Sequence, residues 1–208
     1  MNLKPIAASL PRLAAVLGVN TIPALGWLRE TWSAEVAMLL YYLETVAVIL
    51  LVGAMVRLIV PAVDERGVSI AGERNRLARS YVFFMLVFAA GIGLFLGLAL
   101  WRLLGVPIPW RSVGVAMAVI IVLQLVAYGW EAYRLRPLDI ADAERLVNRD
   151  MGRITILHLG VLFGMFLAAA RLAWFVWPFI ILKTMVDVAG LVDQMRRKWR
   201  EANEADAQ

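Results

Sequence analysis

Six stretches of about 20 predominantly apolar residues constrain the fold of this chain more than any other feature. An apolar helix of that length crosses the hydrocarbon core of a bilayer, where every backbone polar group must be bonded internally. Of the 208 residues, 62% are hydrophobic, more than a soluble domain needs. The sequence therefore predicts an all-α, polytopic membrane bundle, one domain over 1–208. Its six transmembrane helices are expected near 10–28, 34–60, 80–104, 112–132, 154–172 and 174–193.

Basic residues are distributed unevenly between the segments that separate these spans. With the N-terminus inside, 16 Lys and Arg residues fall in predicted cytoplasmic segments and four in predicted external ones. Membrane proteins retain positive charge on the cytoplasmic side. We therefore predict that both termini are cytoplasmic and that the protein lies in the cell membrane (cytoplasmic or inner membrane) as a multi-pass protein. Tryptophans fall at span ends, as interfacial aromatic residues do: Trp27, Trp32, Trp101, Trp110, Trp130, Trp174, Trp177 and Trp199.

The polar connecting segments are expected to be loops. Segments 61–79 and 133–153 carry mixed charges, and within the second, 138–149 is either a short interfacial helix or a solvated connector. Its thin apolar face favours the connector. The polar residues 200–208 are expected to form a disordered tail. Small residues one turn apart on the third span, which predict close helix packing, are Ala89, Gly93 and Gly97.

Glu44 and Lys183 lie near the middle of the second and sixth spans. A rise of ~1.5 Å per residue puts both ~15–16 Å below the external ends of their spans, near the midplane of the bilayer core. An isolated charge at that depth is costly, whereas charges at equal depth can compensate each other. We therefore predict that the second and sixth spans are neighbours joined by a Glu44–Lys183 ion pair.

Other polar residues fall at depths that suit the same network. His158 and Asp187 each lie ~8–9 Å from the cytoplasmic ends of their spans, which predicts a hydrogen-bonded pair. Asp187 is also one helical turn from Lys183. The remaining candidates for the network are Asn20, Tyr41, Tyr42, Thr45 and Gln124.

Several chemistries are disfavoured by the composition. The chain has no cysteine and one histidine, which excludes thiol chemistry and multi-histidine metal sites built from this chain alone. A haem would lack a placed second axial ligand, and a Schiff-base lysine of the retinal type is disfavoured by six spans rather than seven. No cofactor or metal is predicted. The net charge of +5 lies between the spans, so it indicates topology rather than nucleic-acid binding.

The run LYYLETVAVIL at 40–50 resembles the Tyr–Trp–x–Glu–Asn signature of a family of uncharacterised bacterial and archaeal integral membrane proteins, classed as a domain of unknown function. The segments NTIPALGWL at 20–28, HLGVLF from His158 and ILKTMVD at 181–187 follow in the order expected of that family. The resemblance implies that buried acidic, basic and histidine positions occur as a group. It implies no established activity.

The chain departs from that pattern at three places. Leu43 stands in place of the tryptophan and Thr45 in place of the asparagine. A second histidine, expected two turns after His158, is absent, and Phe166 lies nearby instead. This departure weakens any metal or haem hypothesis further.

Three functions are compatible with these features. The first is a non-enzymatic structural or accessory subunit, favoured by small size, packing glycines and a self-contained polar lock. The second is a small proton- or ion-linked transporter, or a protein that binds a lipid-like ligand, using the same buried residues. The third, an enzyme with His158 and Asp187 as an acid–base pair, lacks a nucleophile and ranks last. Expected partners are membrane lipids and another membrane protein or a second copy, not nucleic acid.

Overall fold

The computed structural model describes residues 10–29, 31–63, 67–98, 108–134, 139–169, 180–190 and 192. Within these ranges the chain forms helices and no strand, so the expected all-α class is confirmed there. The helices are α1 Leu10–Leu28, α2 Ala34–Ile59, α3 Ala71–Leu98, α4 Trp110–Arg134, α5 Ile140–Ala169 and α6 at 180–190.

Three of these helices are long and apolar enough to cross a membrane. The candidate spans are Val36–Ile59, Ala71–Leu98 and Trp110–Trp130, each of which contains an 18-residue apolar window, and α1 contains a shorter apolar helix, Ala14–Leu28. A helix of 24 residues is about 36 Å long, which exceeds the roughly 30 Å hydrocarbon core. The six-span topology and the cytoplasmic position of both termini stay predictions.

The helix boundaries agree with the sequence for α1, α2 and α4 and differ for α3 and α5. Helix α3 begins at Ala71 rather than near 80, and α5 begins at Ile140 rather than near 154. Segment 138–149 is therefore no solvated connector, because its described residues from Ile140 form the first turns of a 30-residue helix. The Asp139 side chain caps that helix by accepting from the backbone N–H of Asp142 at 2.6 Å.

Both extensions have the same physical reason. Ala, Leu, Glu and Arg, which are good helix formers, make up most of the residues that precede the apolar part of α3 and half of those that precede the apolar part of α5. Hydropathy detects only the part of a helix that suits lipid, whereas the helix itself continues into the polar region.

Some expectations lie outside the described residues. These are the ends of the third, fifth and sixth predicted spans, the tail at 200–208, and four of the tryptophans: Trp101, Trp174, Trp177 and Trp199. Among the described ones, Trp110 and Trp130 are exposed at opposite ends of α4. The half-buried Trp32 donates from Nε1 to Ser112 Oγ at 2.7 Å, which ties the α1–α2 connection to the start of α4.

Helix α2 lies at the centre of the described bundle. It packs against α1, α3, α4 and α5. Of its most apolar part 61% is buried, against 28% for α3 and 33% for α4, so the two outer helices turn large apolar side chains outward. These include Phe83, Phe84, Phe95, Val115 and Leu125.

Tyr42 joins α2 to α3 at one of the predicted packing glycines. Its hydroxyl donates to the Ala89 carbonyl at 3.1 Å, and a Cβ atom at Gly93 would overlap its phenol ring. Gly97, by contrast, faces open space. The close contact between α2 and α3 therefore uses the Ala89–Gly93 part of the predicted stripe.

Candidate functional site

The ammonium group of Lys183 lies at the centre of a buried polar network. Lys183 is 1% exposed, and its Nζ donates to Asn20 Oδ1 at 2.9 Å and to Asp187 Oδ2 at 3.0 Å. It also donates to Glu44 Oε1 at 3.3 Å and lies 3.1 Å from Glu44 Oε2. An ammonium group has three N–H donors, so all three are engaged. The predicted Glu44–Lys183 ion pair is present.

Glu44 receives a second donor from α4. Gln124 Nε2 donates to Glu44 Oε1 at 3.0 Å, and both side chains are buried. Glu44 Oε2 has its ionic contact with Lys183 but no hydrogen bond within the described part of the chain. Gln124, a predicted candidate for the network, therefore belongs to it through its contact with Glu44.

Asp187 is the second carboxylate of the network and is held from three helices. Its Oδ2 accepts from Asn20 Nδ2 at 2.9 Å and from Lys183, and its Oδ1 accepts from Arg153 Nε at 2.6 Å. The Asn20 amide thus binds the ammonium with its oxygen and the carboxylate with its nitrogen. These contacts join α1, α5 and α6.

The predicted hydrogen bond between His158 and Asp187 is wrong. His158 Nδ1 lies 2.8 Å from the Ile154 carbonyl of its own helix, and the ring packs beside Phe88 and Tyr42. Asp187 instead binds Arg153, five residues before His158 on α5. Five residues correspond to a rotation of about 140° around the helix axis, so the two side chains face different neighbours. A charged guanidinium is also a stronger donor to a carboxylate than a neutral imidazole.

Three residues that the sequence did not assign to the network extend it to α3. Arg153 Nη1 lies 3.7 Å from Asp150 Oδ1, and Tyr81 Oη donates to Asp150 Oδ2 at 2.5 Å. Arg153 is one of the 16 basic residues that are predicted to lie in cytoplasmic segments. The signal that identifies this pair is the three-residue spacing of Asp150 and Arg153, which becomes informative only once α5 is known to begin before them.

The tyrosines and the threonine around Glu44 donate hydrogen bonds to backbone carbonyls. Tyr41 Oη donates to the Asn20 carbonyl at 3.0 Å, and Lys183 Nζ lies 5.0 Å from the Tyr41 ring centroid, a cation–π contact. Thr45 Oγ1 donates to the Tyr41 carbonyl at 2.9 Å. Tyr42 bonds the Ala89 carbonyl of α3 rather than any charged group.

Two small cavities flank the Glu44–Lys183 pair. The space that the centre of a water molecule can occupy has a volume of about 20 Å³ in the first cavity and about 10 Å³ in the second. In this measure one water needs about 10–15 Å³, so the cavities suit water and not an organic substrate. Polar residues of the first are Glu44, Gln124, Tyr128, Arg153 and Asp187. Those of the second are Tyr41, Tyr42, Thr45, His158 and Lys183.

Comparison with known proteins places the chain in a family. A family model described as "Family of unknown function (DUF6498)" matches residues 2–207. The chain belongs to DUF6498. The expectation of an uncharacterised family is thereby confirmed, while the Tyr–Trp–x–Glu–Asn signature and the bacterial or archaeal source stay predictions. No curated protein and no solved structure matches this DUF6498 chain.

The charges at the centre of the DUF6498 network balance. Glu44 and Asp187 carry two negative charges, and Lys183 and Arg153 carry two positive ones. Each of the six described helices supplies a member, with Tyr81 representing α3 and Gln124 α4. No group of three acidic, histidine or cysteine residues among the described ones has metal-binding geometry. The arrangement can fix helix packing. Water in the two neighbouring cavities could also exchange hydrogen bonds with its members.

Proposed function

We propose that this DUF6498 protein is a six-span integral membrane protein with a non-enzymatic, structural or accessory role. We place it in the inner membrane of a bacterium, with both termini in the cytoplasm. The three long apolar helices and the uneven distribution of basic residues support this placement.

The observation that carries the proposal is that all three hydrogen-bond donors of Lys183 are engaged. Its three donors bind oxygen atoms of Asn20 on α1, Glu44 on α2 and Asp187 on α6, so no donor is left for a substrate or for covalent chemistry. Buried ion pairs of this kind specify which elements pack together. The network therefore acts as a lock that holds the helices in register.

The outer surface supports an accessory role. Large apolar side chains of α3 and α4 face outward, among them Phe83 and Phe84 with 62% and 63% exposure. In a bilayer such faces are covered by lipid or by another membrane protein. The two cavities beside the Glu44–Lys183 pair have room only for water. We therefore place the surface on which the protein acts on the outward faces of α3 and α4, against a second chain.

Native mass spectrometry tests the proposal. The tagged protein is extracted from its own membrane in mild detergent, and we expect a second membrane protein at a fixed stoichiometry. Isotope-labelled membranes without the tag are mixed in before extraction. A partner assembled in the cell is recovered unlabelled, whereas an association formed in detergent carries the label. Recovery of the bare chain or of a homo-oligomer alone would contradict the accessory role.

A small proton-linked transporter is the second candidate, because Glu44 Oε2 accepts no hydrogen bond from any described residue and Glu44 lines the larger of the two cavities. The same preparation separates the two candidates. If the bare chain carries protons in liposomes, and Glu44→Gln abolishes the flux while Thr21→Val on the exposed side of α1 preserves it, the transporter replaces the accessory role.

A further inference from the structure

His158 has one buried ring nitrogen that no described residue satisfies. The side chain is 2% exposed, its Nδ1 lies 2.8 Å from the Ile154 carbonyl oxygen, and its Nε2 has no hydrogen-bond partner in the part of the chain that the structure describes. A carbonyl oxygen only accepts, so Nδ1 must be the nitrogen that carries hydrogen. In the neutral imidazole Nε2 is then a lone pair that requires a donor.

The cavity beside His158 supplies acceptors and no spare donor. The Tyr42 hydroxyl donates its hydrogen to the Ala89 carbonyl, and the Thr45 hydroxyl donates its own to the Tyr41 carbonyl. Each hydroxyl oxygen keeps a lone pair for a further hydrogen bond. Lys183 also lines the cavity, with its three donors already engaged.

These properties select the ligand. A group that donates two hydrogen bonds is needed, and the volume of about 10 Å³ admits only the smallest one. A metal cation is opposed by the Lys183 ammonium on the same wall, and an anion by the lone pairs of His158, Tyr42 and Thr45. Water meets both conditions.

We propose that this cavity binds one ordered water, which donates one hydrogen to His158 Nε2 and the other to the hydroxyl oxygen of Thr45 or Tyr42. The water connects α5 to α2 by linking His158 to Thr45 or Tyr42. Arg153, on the same helix as His158, is instead connected to the polar network through Asp187. This site does not depend on whether the protein is an accessory subunit or a transporter.

Solid-state NMR of the protein in lipid bilayers tests the site. Because the chain has one histidine, ¹⁵N-histidine labelling gives the signals of this ring alone. We expect a protonated Nδ1, an unprotonated Nε2, and magnetisation transfer from water protons to Nε2. A protonated Nε2, or an unprotonated one that receives no transfer from water, would overturn the proposal.

A double variant tests which side chains hold the water. The double variant Tyr42→Phe, Thr45→Val removes both oxygens that share the water, so we expect the water-to-Nε2 transfer to be lost. Thr21→Val is the matched control, because Thr21 also donates to a carbonyl four residues earlier but is exposed on α1. Transfer that survives in the double variant would exclude these hydroxyls. If that variant does not fold, Tyr42→Phe and Thr45→Val are measured singly and at least one of them must weaken the transfer, and the unmodified protein still decides whether the water is bound.

Discussion

Lys183 is the residue on which the two central carboxylates depend. Replacing it with methionine keeps most of the side-chain volume but leaves Glu44 and Asp187 without their shared cation. Breaking a buried pair in this way costs about 3–5 kcal/mol. We therefore expect Lys183→Met to lower the free energy of unfolding by that amount, measured by reversible unfolding in mixed micelles. Adding Glu44→Gln should recover part of the loss, since the second change removes an uncompensated charge.

The control for this cycle lies on the same helix. Met185 is 65% exposed, so Met185→Leu should change the free energy of unfolding by no more than about 0.5 kcal/mol. A coupling energy of zero between the Glu44 and Lys183 substitutions would show that the ion pair does not contribute to stability.

The Glu44–Lys183 pair could be predicted from the sequence, and the partner of His158 could not. Depth along a span follows from counting residues, and both charges lie about equally far from the predicted external ends of their spans. Depth says nothing about rotation around the helix axis. His158 and Asp187 were placed at the same depth, yet Arg153 on α5 is the side chain that reaches Asp187. Position around the helix depends on packing that a single sequence does not reveal.

At the scale of elements, α5 carries the network beyond the apolar core. Arg153 is 21% exposed and binds Asp187 on α6, so Arg153→Gln should cost about 3 kcal/mol, near the lower limit for a broken buried pair. The matched control is Arg145→Gln on the same helix. Among the described residues Arg145 pairs with Asp142 alone, and both side chains are largely exposed, so a loss of at most about 1 kcal/mol is expected.

Unfolding of both variants in the same micelles measures the difference. Equal losses for Arg153→Gln and Arg145→Gln would mean that the contact with Asp187 adds nothing beyond an exposed pair.

The boundaries of α3 and α5 mark the limit of hydropathy as a predictor of helices. Helix α2 ends at Ile59, two residues before Pro61, where apolar character and helical structure stop together. In α3 the apolar part begins about nine residues after the helix itself, because GERNRLARS favours a helix without favouring lipid. For the same reason hydropathy predicts a loop over 133–153, the segment that contains Asp150 and Arg153.

For the whole molecule, the topology can be tested without background because the chain has no cysteine. Arg29 and Arg111 belong to the predicted external side, and Arg76 and Arg145 to the cytoplasmic side; all four are exposed. Single cysteines at the first two positions should react with a membrane-impermeant maleimide in intact cells. Those at the other two should react only after permeabilisation. Labelling of position 76 in intact cells as fast as of position 111 would contradict the topology.

The network also has a consequence for biogenesis. Lys183 binds Asn20, 163 positions earlier in the chain, and Glu44, 139 positions earlier. The ribosome therefore completes α1 and α2 long before the counter-ion of Glu44 has been synthesised. A nascent or truncated chain that lacks α6 presents an unneutralised acid within the central helix α2, and the finished chain does not. An uncompensated Glu44 carboxylate therefore distinguishes an incomplete chain from a complete one.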